Sequence, residues 1–320
     1  MKTIIVIGAG IVGVSTAIWL QRSGFKVTII DQKGPATGAS HGNAGILAAS
    51  SIIPVPNPSL IKKLPFYLLS KNSPVFFKMS YLPKMFPFLM SYLSKSNLRE
   101  VNKYAERMTP LIFDTVCQHK SLSKGTGAEK FISNQDYCFG YETEKNFLND
   151  KKVWKLRQKH GLPFEVVTGN EFSKFDPFYK DLFDVIVKCK NHGKISDPGL
   201  YVKTLCDHFL SQGGKLIISR VNDILSKNLN DVIVKIESDS LIANKIVVAT
   251  GAWSKKILKK FKIKMPLESE RGYHIEYVGP NFYPKVPMML TSKKFVITPM
   301  DGRIRAAGLV EFAGLKTLKR

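Results

Sequence analysis

The sequence predicts an α/β fold, with a parallel nucleotide-binding sheet accompanied by a second, α+β domain, and three observations predict it. The first thirty-one residues hold an apolar strand, a glycine turn, a helix and a second strand, in that order. The same alternation of strand and helix returns over residues 197–249, after a long stretch of different character. Beyond it, residues 302–312 alternate apolar and polar side chains in the manner of a strand pair.

Residues 2–7 are an apolar, β-branched run suited to a buried parallel strand, and they lead into Gly8-Ala9-Gly10-Ile11-Val12-Gly13. The spacing predicts a helix over residues 11–23, ended by Gly24, and a strand over residues 26–30 with Asp31 at its tip. Gly8 permits the tight turn, Gly10 lets a pyrophosphate approach the backbone, and Gly13 lets the helix close onto the strand. The phosphates then meet N–H groups at the positive helix end, where Ile11 and Val12 stand. Asp31, with Gln32 and Lys33 beside it, offers a carboxylate to the adenosine ribose hydroxyls. In this context the pattern is that of a Rossmann-type dinucleotide site; a glycine-rich turn in another kind of α/β protein is the alternative.

Composition bounds the function classes. A chain of 320 residues, 44% of them hydrophobic, is long enough for two domains with cores of their own and is neither fibrous nor disordered. The four cysteines lie far apart without a CxxC or Cys/His pattern, so neither a zinc site nor a disulfide framework is expected, and a reducing compartment fits. The N-terminal apolar run is the first strand and precedes no small-residue cleavage site; no signal peptide is read and a cytoplasmic location is expected. A net charge of +23 asks for an anionic partner, nucleic acid or a membrane face, unless it reflects lysine-rich drift on solvated surfaces. No RRM, helix-turn-helix or zinc pattern supports a specific nucleic-acid partner.

After Asp31 a turn at residues 32–35 leads to a second glycine-rich stretch, GASHGNAG at residues 38–45. Its small residues, the Ser40 hydroxyl and the Asn43 amide suit a backbone wrapped closely around a ligand. A nicotinamide dehydrogenase has no need of it. With these residues the sequence resembles the FAD-dependent amine and amino-acid oxidoreductases, in particular bacterial D-amino-acid dehydrogenases and the related D-amino-acid and glycine oxidases. In that family the stretch matching residues 40–47 passes the pyrophosphate and ribityl chain and reaches the isoalloxazine. The resemblance implies FAD as the cofactor, held by Gly8, Gly10, Ile11, Val12, Gly13, Asp31, Gln32, Lys33, Ser40, Asn43, Ala44, Gly45 and Ile46.

Residues 32–99 contain no Asp or Glu and eight basic side chains. Within them, residues 64–93 interleave aromatic side chains with lysines, and Pro65, Pro74, Pro83 and Pro87 divide the stretch into short pieces. Lysines and prolines in every window exclude a membrane span. Two readings stay open: an interfacial surface laid against anionic lipid, and short helices packed into the second domain.

Residues 100–195 read as mixed α and β, with a helix expected over 100–119 and a strand near 131–141, and show no catalytic constellation. His119, His160 and His192 stand alone and read as surface or structural residues, and no metal site is expected. Asp197-Pro198-Gly199 starts a helix to Ser211, Gly213-Gly214 ends it, and residues 215–218 form a strand leading to Val221. In the resembled family the residue matching Val221 contacts adenine through its main chain. Strands are expected at 232–237 and 245–249, the second running into ATGAWS at residues 249–254. That stretch matches a second cofactor-domain signature, which implies Ala249 and Gly251 near the adenosine half of FAD. The lysine run over 255–264 reads as a solvated helix face, and residues 302–312 as a strand pair.

Residues 270–275, ERGYHI, resemble the family strand that returns to the substrate domain. The implied organisation is an FAD-binding domain of residues 1–62 and 196–265 and a substrate domain of residues 63–195 and 266–320. The implied reaction is hydride transfer from the α-carbon of an amino acid, the D-enantiomer, to the flavin, giving an imine that water hydrolyses to a keto acid and ammonia, with electrons passed to a quinone-linked acceptor. A substrate amine that binds deprotonated needs no side-chain base, in agreement with the lack of an acid/base pair. Tyr273 and His274 are the candidates for lining the substrate side, beside the alternatives that RGYHI is only a core strand and that Arg271 pairs with Glu268 or Glu270.

Oxidation of glycine, sarcosine or hydroxyproline-like amines, by an oxidase or a dehydrogenase, is the nearest alternative. An inactive fragment, or a basic nucleic-acid- or membrane-binding protein that keeps only a Rossmann core, is the alternative of another class. The family pattern continues past the position matching Arg320 with a strand, a helix whose N-terminus faces the flavin pyrimidine ring, and an arginine for the substrate carboxylate. The sequence therefore reads as C-terminally truncated, with FAD binding and reduction expected to be weakened. Peripheral attachment to the cytoplasmic side of the inner membrane through residues 64–93 is the expected location.

Overall fold

The computed structural model describes residues 2–54, 73–228 and 230–315. They form two compact units, each assembled from separated segments: residues 1–42, 120–131 and 197–267 in the first, and residues 43–119, 132–196 and 268–320 in the second. Relative to the boundaries read from the sequence, residues 43–54 go to the second unit and residues 120–131 to the first.

In the first unit four parallel strands lie in the order Lys215–Ile218, Lys26–Asp31, Thr3–Ile7, Lys245–Val248. Thr3–Ile7 is interior, and its apolar run follows from that position, because a strand covered on both faces needs apolar side chains on both. The helices Ile11–Arg22 and Pro198–Ser211 lie against one face. On the other, Ile5, Ile7 and Ile30 pack with Ile224, Val234, Ile236 and Ala243 from an antiparallel sheet of Val221–Ser226, Val232–Ile236 and Ser240–Ala243. Pro198–Ser211 starts where Asp197 caps it, the carboxylate accepting the Leu200 N–H at 2.8 Å.

The second unit is centred on a mixed sheet with the strand order Arg271–Val278, Arg303–Phe312, Phe295–Met300, Met288–Leu290, Tyr137–Tyr141, Val185–Cys189, Phe164–Thr168. Val75–Phe77 pairs with the far end of Arg303–Phe312. A separate small sheet joins Ile46–Leu47 to Gly193–Ile195, and that to Ile132–Asn134.

Several expectations are corrected. Residues 302–312 are not a strand pair: the turn precedes Arg303, and Arg303–Phe312 is one strand bonded on both sides. Gly308 lies at a register shift in it, where a Cβ would sit 2.5 Å from the Phe295 Cα, so only glycine lets the neighbouring strand stay this close. The helix expected over 100–119 is two, Leu98–Ile112 and Thr115–Ser123, because Pro110 removes a backbone donor near the end of the first. The strand near 131–141 is likewise two, in different sheets. The lysine run leaves the helix at Lys260, and residues 261–266 are exposed and non-helical.

Of the aromatic stretch, residues 64–72 lie outside the described residues. Residues 82–94 are a single helix, Leu82–Ser94, which takes Pro83 into its first turn and runs on through Pro87. Phe77 stacks on Phe312, Phe88 on Tyr92, and Met85 is buried, whereas Met79, Phe86 and Met90 are exposed. Part of the described stretch thus packs inward and part stays exposed.

His192, in the second unit, is buried and structural. The Ser50 N–H donates to its Nε2 at 3.1 Å, which leaves Nδ1 to donate to the Lys190 carbonyl at 2.7 Å. Burial, with Arg157 adding to it, holds the imidazole below its ordinary value. His119 is lowered by burial as well. Folded His192 is therefore neutral where the unfolded chain, titrating near ~6.5, has begun to bind a proton. Its contribution to stability is complete above that pH and lost as pH falls below it. We expect the melting temperature to drop as pH is lowered from about 7 towards 5, with a shallower slope in His192→Gln; an unchanged slope in the variant would assign the effect to other groups.

Candidate cofactor and substrate site

The parallel strands of the first unit all end on one edge, and Gly8, Gly10, Gly13, Asp31, Ser40, Ala249 and Gly251 lie along it. Gly8 has φ +109°, and a Cβ on it would lie 2.4 Å from the Ala249 carbonyl oxygen. A Cβ on Gly13 would lie 1.9 Å from the Gly8 carbonyl oxygen, so helix and strand meet at a distance that excludes any other residue. Gly10 differs: a Cβ there would meet only the Ser40 Oγ, at 3.1 Å, so no backbone closes the approach to it. The helix Ile11–Arg22 opens without an acidic residue in its first turn, and the Ile11 N–H donates to Ser40 Oγ at 2.9 Å. An anion at this helix end meets N–H groups and a hydroxyl, with no acidic side chain in the helix's first turn.

Asp31 ends the second strand, and its carboxylate orders the turn around it. One oxygen accepts the Ala9 N–H at 2.9 Å; the other accepts those of Lys33 and Gly34 at 2.8 and 2.9 Å. The carboxylate is held in one orientation and has lone-pair capacity left for a ribose hydroxyl. The side chains of Gln32 and Lys33 are exposed beside it. Ile218 pairs with Asp31 and the Ser219 N–H donates to the Asp31 carbonyl at 2.9 Å, so the chain passes this tip on its way to Val221. The Ala249 N–H donates to the Ile7 carbonyl at 2.8 Å, which lays ATGAWS on the glycine turn, with Gly251 opening a short helical turn. This edge is the crevice at the carboxyl ends of parallel strands where an open α/β sheet binds its ligand, and its residues fit a dinucleotide.

Asn43, Ala44, Gly45 and Ile46 belong to the second unit, and three successive carbonyls there are taken by its own groups. Arg305 Nη1 donates to the Asn43 oxygen at 2.6 Å, Thr298 Oγ1 to that of Ala44 at 2.9 Å, and the Ile195 N–H to that of Gly45 at 2.6 Å. The Gly45 N–H turns back onto Asn43 Oδ1 at 2.8 Å, and Ile46 enters the small sheet.

Tyr273 and His274 are successive residues of Arg271–Val278, so the pleat sends them to opposite faces of the sheet. Tyr273 shares a face with Arg271. Both reach the buried carboxylate of Glu311 on the adjacent strand, the tyrosine hydroxyl at 2.7 Å and Arg271 Nη1 at 3.1 Å. Arg271 thus pairs with Glu311 and not with Glu268 or Glu270. Glu311 stands opposite Arg271 in register, whereas Glu268 accepts from the Tyr81 hydroxyl at 2.9 Å.

Sequence reasoning missed a second cluster on the same strands. Glu276 Oε1 accepts from Arg305 Nε at 2.9 Å and Arg303 Nε at 3.0 Å, and Arg305 is 0% exposed. Burial pushes the Glu276 carboxyl up, but the two guanidinium hydrogen bonds outweigh it and hold it below the usual carboxylate range. The signal was available: Arg303 and Arg305 sit two apart on an alternating strand, and Glu276 is an acid within the strand opposite.

Residues 3–317 match the model of the DAO family, described as FAD dependent oxidoreductase. The chain belongs to this family. Its cofactor is FAD. It is 34% identical over 318 residues to a D-amino-acid oxidase of Bradyrhizobium diazoefficiens, covering 98% of this chain and 75% of the relative. It is 25% identical over 315 residues to a D-amino acid dehydrogenase of Rhizobium rhizogenes, covering 97% of this chain and 76% of the relative. Among solved structures, glycine oxidase from Geobacillus kaustophilus shares the fold with a TM-score of 0.69 at 16% identity, over 98% of this chain and 72% of that one. L-Amino acid deaminase from Proteus myxofaciens does so with a TM-score of 0.65 at 16% identity, over 96% of this chain and 58% of that one.

Because both Asp31 oxygens accept backbone N–H groups, an amide at this position must turn its NH₂ towards a donor. Asp31→Asn is expected to lose about 1–3 kcal/mol of stability, the penalty of a hydrogen bond left unmade. FAD affinity should fall roughly ten-fold or more, equivalent to about 1.4 kcal/mol. A thermal melt and a flavin fluorescence titration check both, and an unchanged titration would remove Asp31 from the cofactor site.

Proposed function

We propose that this FAD-dependent oxidoreductase oxidises the Cα–N bond of a D-amino acid. The observation that carries the reading is the 34% identity over 98% of the chain with a D-amino-acid oxidase. FAD, when bound, supplies the hydride acceptor, and the protein supplies binding, orientation and field. The helix end at Ile11 and Val12, with Gly8, Gly10, Gly13 and Ser40, holds the pyrophosphate; Asp31, with Gln32 and Lys33, holds a ribose. Val221, Ala249 and Gly251 line the adenosine half, and Asn43, Ala44, Gly45 and Ile46 the redox-active end.

An amino acid bound with its amine neutral loses the Cα hydrogen as hydride while the nitrogen lone pair forms the imine, which water converts to keto acid and ammonia. This needs no side-chain base, so the protein's work is to hold the amine deprotonated and the α-carbon in line. Tyr273 is the side chain we assign to the substrate side: the Glu311 carboxylate, neutralised by Arg271, fixes its hydroxyl and so its ring. His274, on the opposite face, is the alternative, and a quinone-linked acceptor takes the electrons onward. Under anaerobic conditions a panel of D-amino acids is expected to bleach the flavin band, and Tyr273→Phe to raise KM with a smaller effect on kcat. A band that stays oxidised with the panel but bleaches with glycine, sarcosine or proline-type amines would move the substrate class.

We also infer peripheral attachment to an anionic bilayer, on a specific observation in the helix Leu82–Ser94. Phe86 and Met90 lie one turn apart on its exposed side, Met79 is exposed just before it, and Lys78 and Lys84 stand exposed around them. Lysines near an anionic leaflet contribute about 1 kcal/mol each, and apolar side chains at headgroup depth add burial. Among the described residues no helix is long and apolar enough to cross a membrane. Sedimentation with phosphatidylserine vesicles is expected, released by high salt and reduced in Lys78→Gln/Lys84→Gln and in Phe86→Ser. Binding indifferent to salt and to these substitutions would return the helix face to ordinary surface.

A further inference from the structure

We propose that Arg305 is a positioning residue for the flavin, acting through the peptide between Asn43 and Ala44. The inference rests on the reading that residues 43–46 face the redox-active end of FAD. Arg305 is completely buried, on a strand interior to its sheet, and its guanidinium divides between two tasks. Nε and Nη2 donate to Glu276 Oε1 at 2.9 and 2.5 Å, and Nη1 donates to the Asn43 carbonyl at 2.6 Å. The peptide is trans, so its N–H, on Ala44, points away from the carbonyl and hence away from Arg305. A cation on the carbonyl oxygen draws charge through the peptide and makes that N–H a stronger donor.

The surroundings keep the arrangement fixed. Thr298 and the Ile195 N–H hold the next two carbonyls, so the segment cannot turn without breaking three hydrogen bonds. Glu276 is shared with Arg303, so both guanidinium groups are held by one carboxylate behind the segment. A flavin gains negative charge on reduction, so a fixed cation and a polarised N–H aimed at it favour the reduced form. Arg305 touches neither substrate nor the reacting atoms in this account; it aims and polarises the backbone that does.

The charge makes the proposal separable from simple structural support, because the two partners of the ion pair should act in opposite senses. In the FAD-loaded full-length protein the flavin midpoint potential is expected to fall in Arg305→Met and to rise in Glu276→Gln. It should stay close to wild type in Arg305→Lys, which keeps the charge, and in Thr298→Val, which removes only a neutral hydrogen bond. In the protein freed of FAD, amide hydrogen exchange at Gly45–Leu47 should speed up at least ten-fold in Arg305→Met, while amides of Val185–Cys189 stay protected. Potentials that shift together with the melting temperatures, or shift the same way in Arg305→Met and Glu276→Gln, would overturn the electrostatic role. Unchanged exchange at Gly45 would overturn the positioning role. If Arg305→Met fails to fold, Glu276→Gln and Arg305→Lys still decide the sign. A wild-type chain that takes up no FAD would refute the cofactor reading instead, and the exchange measurement would then judge the brace by itself.

Discussion

The first unit depends on one contact, between the helix backbone at Gly13 and the carbonyl of Gly8. A Cβ at Gly13 would fall 1.9 Å from that oxygen, far inside contact distance, so the helix Ile11–Arg22 can lie on its strand only because the side chain is missing. The other features of the edge follow from this approach. With the helix so placed, its N-terminus stands where Ser40 can take the Ile11 N–H, and Asp31 can take the Ala9 N–H from the turn between strand and helix. The carbonyl of Ala249, which packs on Gly8, belongs to the same close stack. The phosphate recognition proposed for this edge thus rests on backbone proximity before any side chain.

The second unit has a different basis: charges buried on adjacent antiparallel strands. Arg271 and Glu311 face each other in register, as do Glu276 and Arg305, so one strand pair carries two ion pairs. Taking such groups out of water is unfavourable unless the geometry and further hydrogen bonds compensate, and the compensation is visible in each case. Tyr273 adds a donor to Glu311, and Arg303 adds one to Glu276. The same pairing fixes the register of the two strands, because a slip by one residue would send every one of these groups to the wrong face.

The legible parts of the chain were those whose signal is local. The turn, helix and strand of the first thirty-one residues, the capped helix after Asp197 and the strands at 215–218 and 245–248 follow from glycine spacing, caps and apolar runs within a few residues of one another. What escaped depends on groups far apart in the chain. Arg271 looked for a partner at Glu268 or Glu270, its neighbours in sequence, and found Glu311 forty residues on through strand pairing. Arg305 drew no notice because its partner, the Asn43 carbonyl, is 262 residues away. The reading of 302–312 as two strands failed for a related reason: the run is one strand bonded to a different strand on each side, with Gly308 at a register shift close to Phe295.

The three tethered carbonyls of Asn43, Ala44 and Gly45 have one more consequence. Some cofactor-binding loops change state by rotating a single peptide unit, exchanging a carbonyl for an N–H in front of the ligand as its charge changes. Here each such rotation would swing an N–H into the face of an existing donor: Arg305 for the first peptide, the Thr298 hydroxyl for the second, the Ile195 N–H for the third. The segment therefore presents one fixed array of dipoles. Any response of the protein to turnover has to be carried by side chains or by movement of whole elements, and a laboratory effort to retune this chain would do better to change the charges behind the backbone than to loosen it.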